Sequence, residues 1–336
     1  MGGDRITIGH CSGGRLTRDL VRDVFLPALD DPRLAELGDA ARLAAVDGDL
    51  ALTTDGFVVS PRVFPGGDVG CLAVYGTVND LAVAGAVPIA LTASFVLEEG
   101  LAVAELAAVA ASMGAAARRS GVAVVAGDTK VVERGHGDGV FVVTAGVGRM
   151  RPDAPPGARA IRPGDEVVAS GPIGDHGAVI AAARHGLEPG PGLRSDCGPV
   201  TALVDALYAA GVRPRFLRDP TRGGLATVLA EAADEAGQTV VLREADVPVR
   251  PEVLAVCDLL GLDPLYLACE GRVVAIVPAG QGAAAAGAMA ALPEGAGAAV
   301  IGTVQARAPG PVVLQTRFGG TRLCDVPAGE LLPRIC

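Results

Sequence analysis

The chain has 336 residues, half of them apolar and 3% aromatic, with 47 glycines, 24 prolines and no tryptophan; this excludes a disordered chain and exceeds one ordinary domain, so two domains packed on small aliphatic side chains are expected. With 28 basic against 38 acidic residues the formal charge is −10, and no basic run offers a footprint for nucleic acid, which is excluded as a partner. An acidic protein that binds a polyphosphate needs a divalent metal, because its own carboxylates repel the ligand.

The opening segment lacks the cationic flank and apolar core of a signal peptide, and no apolar run reaches bilayer length, so a soluble cytoplasmic protein without a membrane partner is expected. Residues 1–40 read as a tail with a glycine loop at Cys11-Ser-Gly-Gly14 and a short amphipathic stretch from Leu16 to Leu29. A first mixed domain follows over 41–151. Leu50 to Thr54, Val122 to Ala126 and Val140 to Ala145 read as strands, and Asp80 to Ala90 and Leu101 to Arg119 as helices. The Pro/Gly cluster at 152–157 marks a boundary. A second α/β domain is expected over 157–308, with strands at Glu166 to Ser170, near Val240 and at Arg272 to Val277, and helices at Gly177 to His185 and Gly224 to Gly237. Pro309-Gly-Pro311 and Gly319-Gly320 then loosen a flexible tail, 309–336, that runs to Leu331-Leu-Pro-Arg-Ile-Cys336. The seven cysteines are scattered, without a Cys-x-x-Cys pair, which fits a reducing compartment.

Three aspartates, Asp55, Asp80 and Asp128, fall where elements of the first domain begin or end. Each alone reads more readily as a turn or cap residue; together they could supply the oxygen ligands that magnesium takes along with substrate phosphates. Glycine loops at Ser12-Gly-Gly14, Ser170 to Gly177 and Asp219-Pro-Thr-Arg-Gly-Gly224 offer backbone N–H groups for phosphate, the last with Arg222 at a helix start. None is a Walker A loop or a dinucleotide fingerprint. Among the 28 basic residues a single one is lysine, Lys130, two places after Asp128; a compact, tunable ammonium there points to phosphate contact or proton transfer. Cys336 is either an incidental thiol or a carrier that swings a covalently attached group between sites.

These motifs, His10-Cys-Ser-Gly-Gly14, Thr54-Asp-Gly, Phe64-Pro-Gly-Gly67, Asn79-Asp-Leu-Ala-Val, Gly127-Asp-Thr-Lys, Asp175-His-Gly, Arg218-Asp-x-Thr-Arg-Gly-Gly224, Glu270-Gly and Pro333-Arg-Ile-Cys336, run nearly end to end and resemble the HypE family of hydrogenase maturation factors. That family is similar to aminoimidazole ribonucleotide synthetase, selenophosphate synthetase and thiamine-monophosphate kinase. The resemblance implies an α+β, two-domain PurM-like fold: an N-terminal domain with a dimer-forming sheet, a C-terminal α/β domain and a mobile tail. It implies a homodimer that binds ATP with Mg2+ on Asp55, Asp80 and Asp128. The wider nucleotide set would be Ser12, Gly13, Gly14, Asp80, Asp128, Thr129, Asp175, His176, Asp219, Arg222 and Gly223. It further implies that HypF loads a carbamoyl group onto Cys336 and that ATP phosphorylates its oxygen. Loss of phosphate then leaves a thiocyanate, with Glu270 and Lys130 handling protons, and cyanide passes to iron on HypC–HypD for the [NiFe] hydrogenase. Cys11 departs from the family's usual glycine there. His10 and His176 line the cleft or satisfy loops. Two rivals stay open: a kinase or synthetase of the same superfamily acting on a free metabolite, and a non-catalytic thiol carrier.

Overall fold

The computed structural model describes the chain except for residues 1–3, 188, 189, 191, 309, 328, 330 and 331; Pro309 and Leu331 of the expected tail therefore lie outside the described residues.

The first domain is a four-stranded sheet in the order β1 (Leu50–Phe57), β4 (Val140–Met150), β2 (Ala86–Glu98), β3 (Ala123–Val132). β2 and β3 pair in parallel, joined through helix α2 (Val103–Arg119), and the other neighbours pair antiparallel. Alternation along the strands buries Phe57, Leu91, Phe95 and Val142 on the helix-covered face. The other face stays open, with Leu50 57%, Leu52 80% and Val143 42% exposed. Helix α1 (Val69–Val83) is apolar all round and buried along nearly its whole length, as expected of a helix with neighbours on every side. Asp68 caps it, accepting from the amides of Gly70 and Cys71 at 2.8 and 3.0 Å.

The structure corrects three expectations. Asp80 does not open a helix over 80–90; it lies in the last turn of α1, and 86–98 is strand β2. Gly85, at φ +86°, takes the left-handed turn that side chains resist and ends the helix there. Residues 15–29 are no loose tail. Arg15–Leu20, a π-helical turn Val21–Phe25 and Leu26–Leu29 form one helical run, with Leu20, Phe25 and Leu29 buried and the Phe25 ring 4.8 Å from that of Phe95. Thirdly, the chain after 309 first completes the second sheet before any tail begins.

That sheet has seven strands: β5 (Glu166–Ala169), β6 (Phe216–Arg218), β7 (Gln238–Arg243), β8 (Val274–Val277), β9 (Ala299–Ala306), β10 (Val312–Gln315) and β11 (Thr321–Cys324). Their spatial order is β11-β10-β7-β9-β5-β8-β6. Val312, Leu314 and Cys324 of the last hairpin are buried in its core, so alternating apolar residues dock the hairpin despite its loop-like glycines. Helix α3 (Asp175–Arg184) instead packs Ala178 to Ala182 into the core of the first domain, together with Ile335. That shared core sets the cleft between the domains.

Candidate functional site

Four carboxylates converge on the cleft. Asp55 lies on the helix-facing side of β1, where it approaches Gly76 of α1, and Asp80 accepts a 3.0 Å bond from the Thr53 hydroxyl. Asp219 follows β6 and Glu270 precedes β8. Burial, then the charges of Asp80 and Asp55, pushes Asp219 up to about 7. Burial first and then Asp219, Asp196, Asp55 and Asp80 hold Glu270 well above the usual carboxylate range. Burial also raises Asp55 and Asp80, with Arg222 opposing at both. The Glu270 Oε1 atom is buried and has no hydrogen-bond partner among the described residues. Negative groups crowded in this way favour either a bound cation or a held proton.

Glu270 is fixed through its backbone. Asp196 accepts from the amides of Glu270 and Gly271 at 3.2 and 3.3 Å. Asn79 of α1 donates to the carbonyls of Gly198 and Glu270 at 3.0 and 3.2 Å and accepts from Val200 at 2.9 Å. Arg222 and Gly223 line a cavity of about 280 Å³ together with Thr227, Tyr266 and Ile335.

The Pro333–Cys336 segment, expected on a mobile arm, is seated beside this cluster. It runs antiparallel to residues 58–60, with Val58 N donating to Cys336 O at 3.0 Å and Ser60 N to Arg334 O at 3.3 Å. Val58 lies three residues beyond Asp55, about 10 Å along an extended chain. Arg184, at the end of α3, donates to Ser60 O at 2.7 Å and also to the carbonyls of Pro333 and Arg334. Arg334 pairs with Asp138 and donates to Val58 O at 3.0 Å. Ile335 is buried, and its carbonyl lies 2.8 Å from His176 Nε2. We predict that Arg184→Ala, which removes three donors to the seat, speeds alkylation of Cys336 by roughly tenfold or more. Timed maleimide labelling read on the C-terminal peptide checks this, and an unchanged rate would show that the guanidinium does not hold the segment.

Other expected site residues lie elsewhere. Asp55 is opposite Thr144, Thr144 opposite Ala93, and Ala93 opposite Gly127. Asp128 is therefore three strands away, about 14 Å, and on the open face. Its carboxylate is bonded to Lys130, at 2.6 Å, which holds it below the usual range. The magnesium triad Asp55, Asp80, Asp128 is thus not assembled within one chain. Among the described residues no three His, Cys, Asp or Glu side chains are placed to hold a metal ion. Lys130 is likewise separated from Cys336 by the breadth of the sheet. At this edge strand Asp128 and Lys130 also border a second cavity of about 340 Å³, which Gly13, Thr129, Phe25 and Phe95 line from the helix-covered side. Ser12 and Gly14 flank Gly13, and Ser12 bonds back to Gly9 O at 2.9 Å. Asp175 is paired with Arg250 at 3.0 Å and Arg272 at 3.7 Å, raised to about 6 chiefly by burial, so it braces α3 and not a phosphate. His176 grips the tail. His10 is buried and bonded to Thr7.

Sequence reasoning missed Arg184, Ser195 and Asp196. Arg184 is one arginine among many, and Ser195-Asp196 sits in a polar loop without a motif. Asn79 stood inside a quoted motif, but nothing in the chain order says that it reaches residues 198–200.

Comparison with known proteins matches this geometry. The family described as AIR synthase related protein matches by its N-terminal domain over residues 37–150 and its C-terminal domain over 162–314. Carbamoyl dehydratase HypE of Rhodobacter capsulatus is 50% identical over 336 residues, 99% of this chain and 98% of that protein. The crystal structure of hydrogenase maturation protein HypE in complex with ATP superposes with a TM-score of 0.94 at 45% identity, covering 98% of this chain and 99% of that one. The crystal structure of a HypE–HypF complex matches with a TM-score of 0.79 at 40% identity, covering 92% and 99%. Tandem domain matches in the right order, and identity near one half from end to end, mean that this chain belongs to the HypE family of AIR synthase-related proteins.

Proposed function

We propose that this protein is an ATP-dependent dehydratase that converts a carbamoyl group carried on Cys336 to a thiocyanate, the source of cyanide ligands for the iron of a [NiFe] hydrogenase. The observation that carries this reading is the seat of Cys336 beside a cluster of four carboxylates, of which Asp219 and Glu270 are buried and Asp55 and Asp80 half-buried. The HypE relative solved with ATP and the one solved with HypF support ATP as co-substrate and HypF as the carbamoyl donor. HypC–HypD would receive the cyanide.

The chemistry follows from leaving groups. The carboxamide oxygen attacks the γ-phosphorus of ATP and ADP leaves. Nitrogen gives up one proton as the oxygen is phosphorylated and its second as the C–O bond breaks to free phosphate, and C≡N forms on sulfur. Glu270, whose surroundings raise its hold on a proton, is suited to accept one from nitrogen. Arg222 can offset phosphate charge. Asp55 and Asp80 fit a magnesium ion arriving on the nucleotide, since that ion takes one or two carboxylates plus phosphate oxygens; when bound it neutralises phosphate charge.

A second copy covering the open face of the first sheet, with its exposed Leu50, Leu52 and Val143, would form the homodimer. Asp128 and Lys130 lie on that same face, so they would serve the neighbouring chain.

The test is stoichiometry on protein already carrying carbamoyl: one ADP and one phosphate per cyanide released, both abolished by chelating magnesium. ADP formed without loss of carbamoyl would favour the free-metabolite kinase, and cyanide without ADP a thiol carrier.

A further inference from the structure

The Phe64-Pro-Gly-Gly67 motif and the loop around residue 195 are left without a role by the chemistry above, yet they meet at the tail. The Ile335 carbonyl can only accept, so His176 Nε2 carries the proton. Burial keeps the ring neutral, which leaves Nδ1 as an acceptor for the Ser195 hydroxyl at 2.8 Å. The Ser195 oxygen in turn accepts the Cys197 amide at 3.1 Å. The Phe64 ring meets the imidazole edge-on with centroids 5.2 Å apart, and Pro65 O accepts the Ser195 amide at 2.8 Å. Gly66, at φ +107°, has no room for a side chain, because a Cβ there would lie 2.7 Å from Ser195 O. One residue further on, Asp196 holds the Glu270 and Gly271 amides.

We infer that residues 195–198 form a positioning element with two ends, seating the Cys336 segment through Ser195 and His176 and fixing Glu270 through Asp196, so that thiol and proton acceptor are aligned by one loop. This deepens the proposed dehydratase and rests on it for the role of Cys336. Ser195 and His176 act through Ile335 and touch no reacting atom; they are positioning residues. The loop is in turn anchored from the first domain by Asn79, through Gly198 and Val200. The alignment is therefore set across the domain boundary.

The experiment compares Ser195→Ala, His176→Leu and His176→Gln in the full chain by two readouts. The first is the alkylation rate of Cys336 without ATP or carbamoyl donor. The second is the single-turnover rate of dehydration with its ATP dependence. Ser195→Ala and His176→Leu are expected to alkylate about fivefold faster and to dehydrate about tenfold slower with the ATP KM unchanged. His176→Gln, whose amide can still donate to Ile335, is expected to restore both. Wild-type alkylation rates in both disrupting variants would overturn the inference, as would a loss of rate matched by an equal rise in ATP KM. Faster alkylation in protein that never gains a carbamoyl group would leave the positioning element standing and overturn the dehydratase reading alone.

Discussion

Replacing Cys336 with alanine is expected to abolish carbamoyl uptake and everything after it. Incubation of the wild type with HypF, carbamoyl phosphate and ATP should add about 43 Da to the intact mass, and subsequent magnesium-ATP should remove about 18 Da, as carbamoylation and then loss of water require. Cys336→Ala should show neither shift while still binding nucleotide, because its backbone contacts to Val58 remain. The thiol is the only atom of that residue the chemistry needs. A carbamoyl adduct that persists in Cys336→Ala would place the carrier on another of the seven cysteines. No adduct on the wild type despite active HypF would return the protein to the kinases of its superfamily.

The second large effect lies at the buried acids, where activity and stability should move in opposite directions. Glu270→Gln is expected to cost about 10²- to 10⁴-fold in the single-turnover rate, the usual worth of a positioned proton acceptor, with carbamoylation by HypF intact. Asp219→Asn tests the stability side. A carboxyl raised from 3.8 to about 7 in the fold binds its proton more tightly when folded. The folded state therefore suffers no penalty below the unfolded pKa, loses stability as pH rises towards 7, and stays at that lower level above it. Asp219→Asn should thus be neutral near pH 4 and stabilising near pH 8 by on the order of 1–3 kcal/mol in ligand-free protein. Urea unfolding at the two pH values checks this, and a destabilised variant at pH 8 would show that the carboxylate is satisfied by partners in the folded chain.

The opposed expectations share one cause. Asp55, Asp80, Asp219 and Glu270 are crowded together, the first two half-buried and the last two buried, and a stable fold alone would not retain four such groups. Removing one charge relieves the others while deleting a part of the chemistry.

Much of this was legible in the chain itself. The motifs containing Asp55, Asp80, Asp219 and Glu270 name the acids of the cleft, because an acid flanked by glycines and apolar residues stands out against its neighbours. Local pattern also delivered β1, β4, α2 and the helix after Gly223, where apolar periodicity and propensity agree. It failed over 86–98, where a strand sits among alanines and valines that suit either state and only Gly85 marks the break. It failed again at Val312 to Cys324, where short strands hide among glycines.

The sequence by itself determined which residue types the site contains, the family they resemble and the two-domain α+β plan, because these depend on composition, spacing and local periodicity. The tertiary structure alone decided which of them meet. The sheet register sets Asp128 and Lys130 three strands from Asp55 and on the opposite face, whereas α3 brings Arg184 and His176 to tail carbonyls 149 and 159 residues away in the chain and the 195–198 loop brings Asp196 to the Glu270 amide. Pairing register and domain packing are long-range choices, settled by the burial of whole faces, and no local stretch of the chain encodes them.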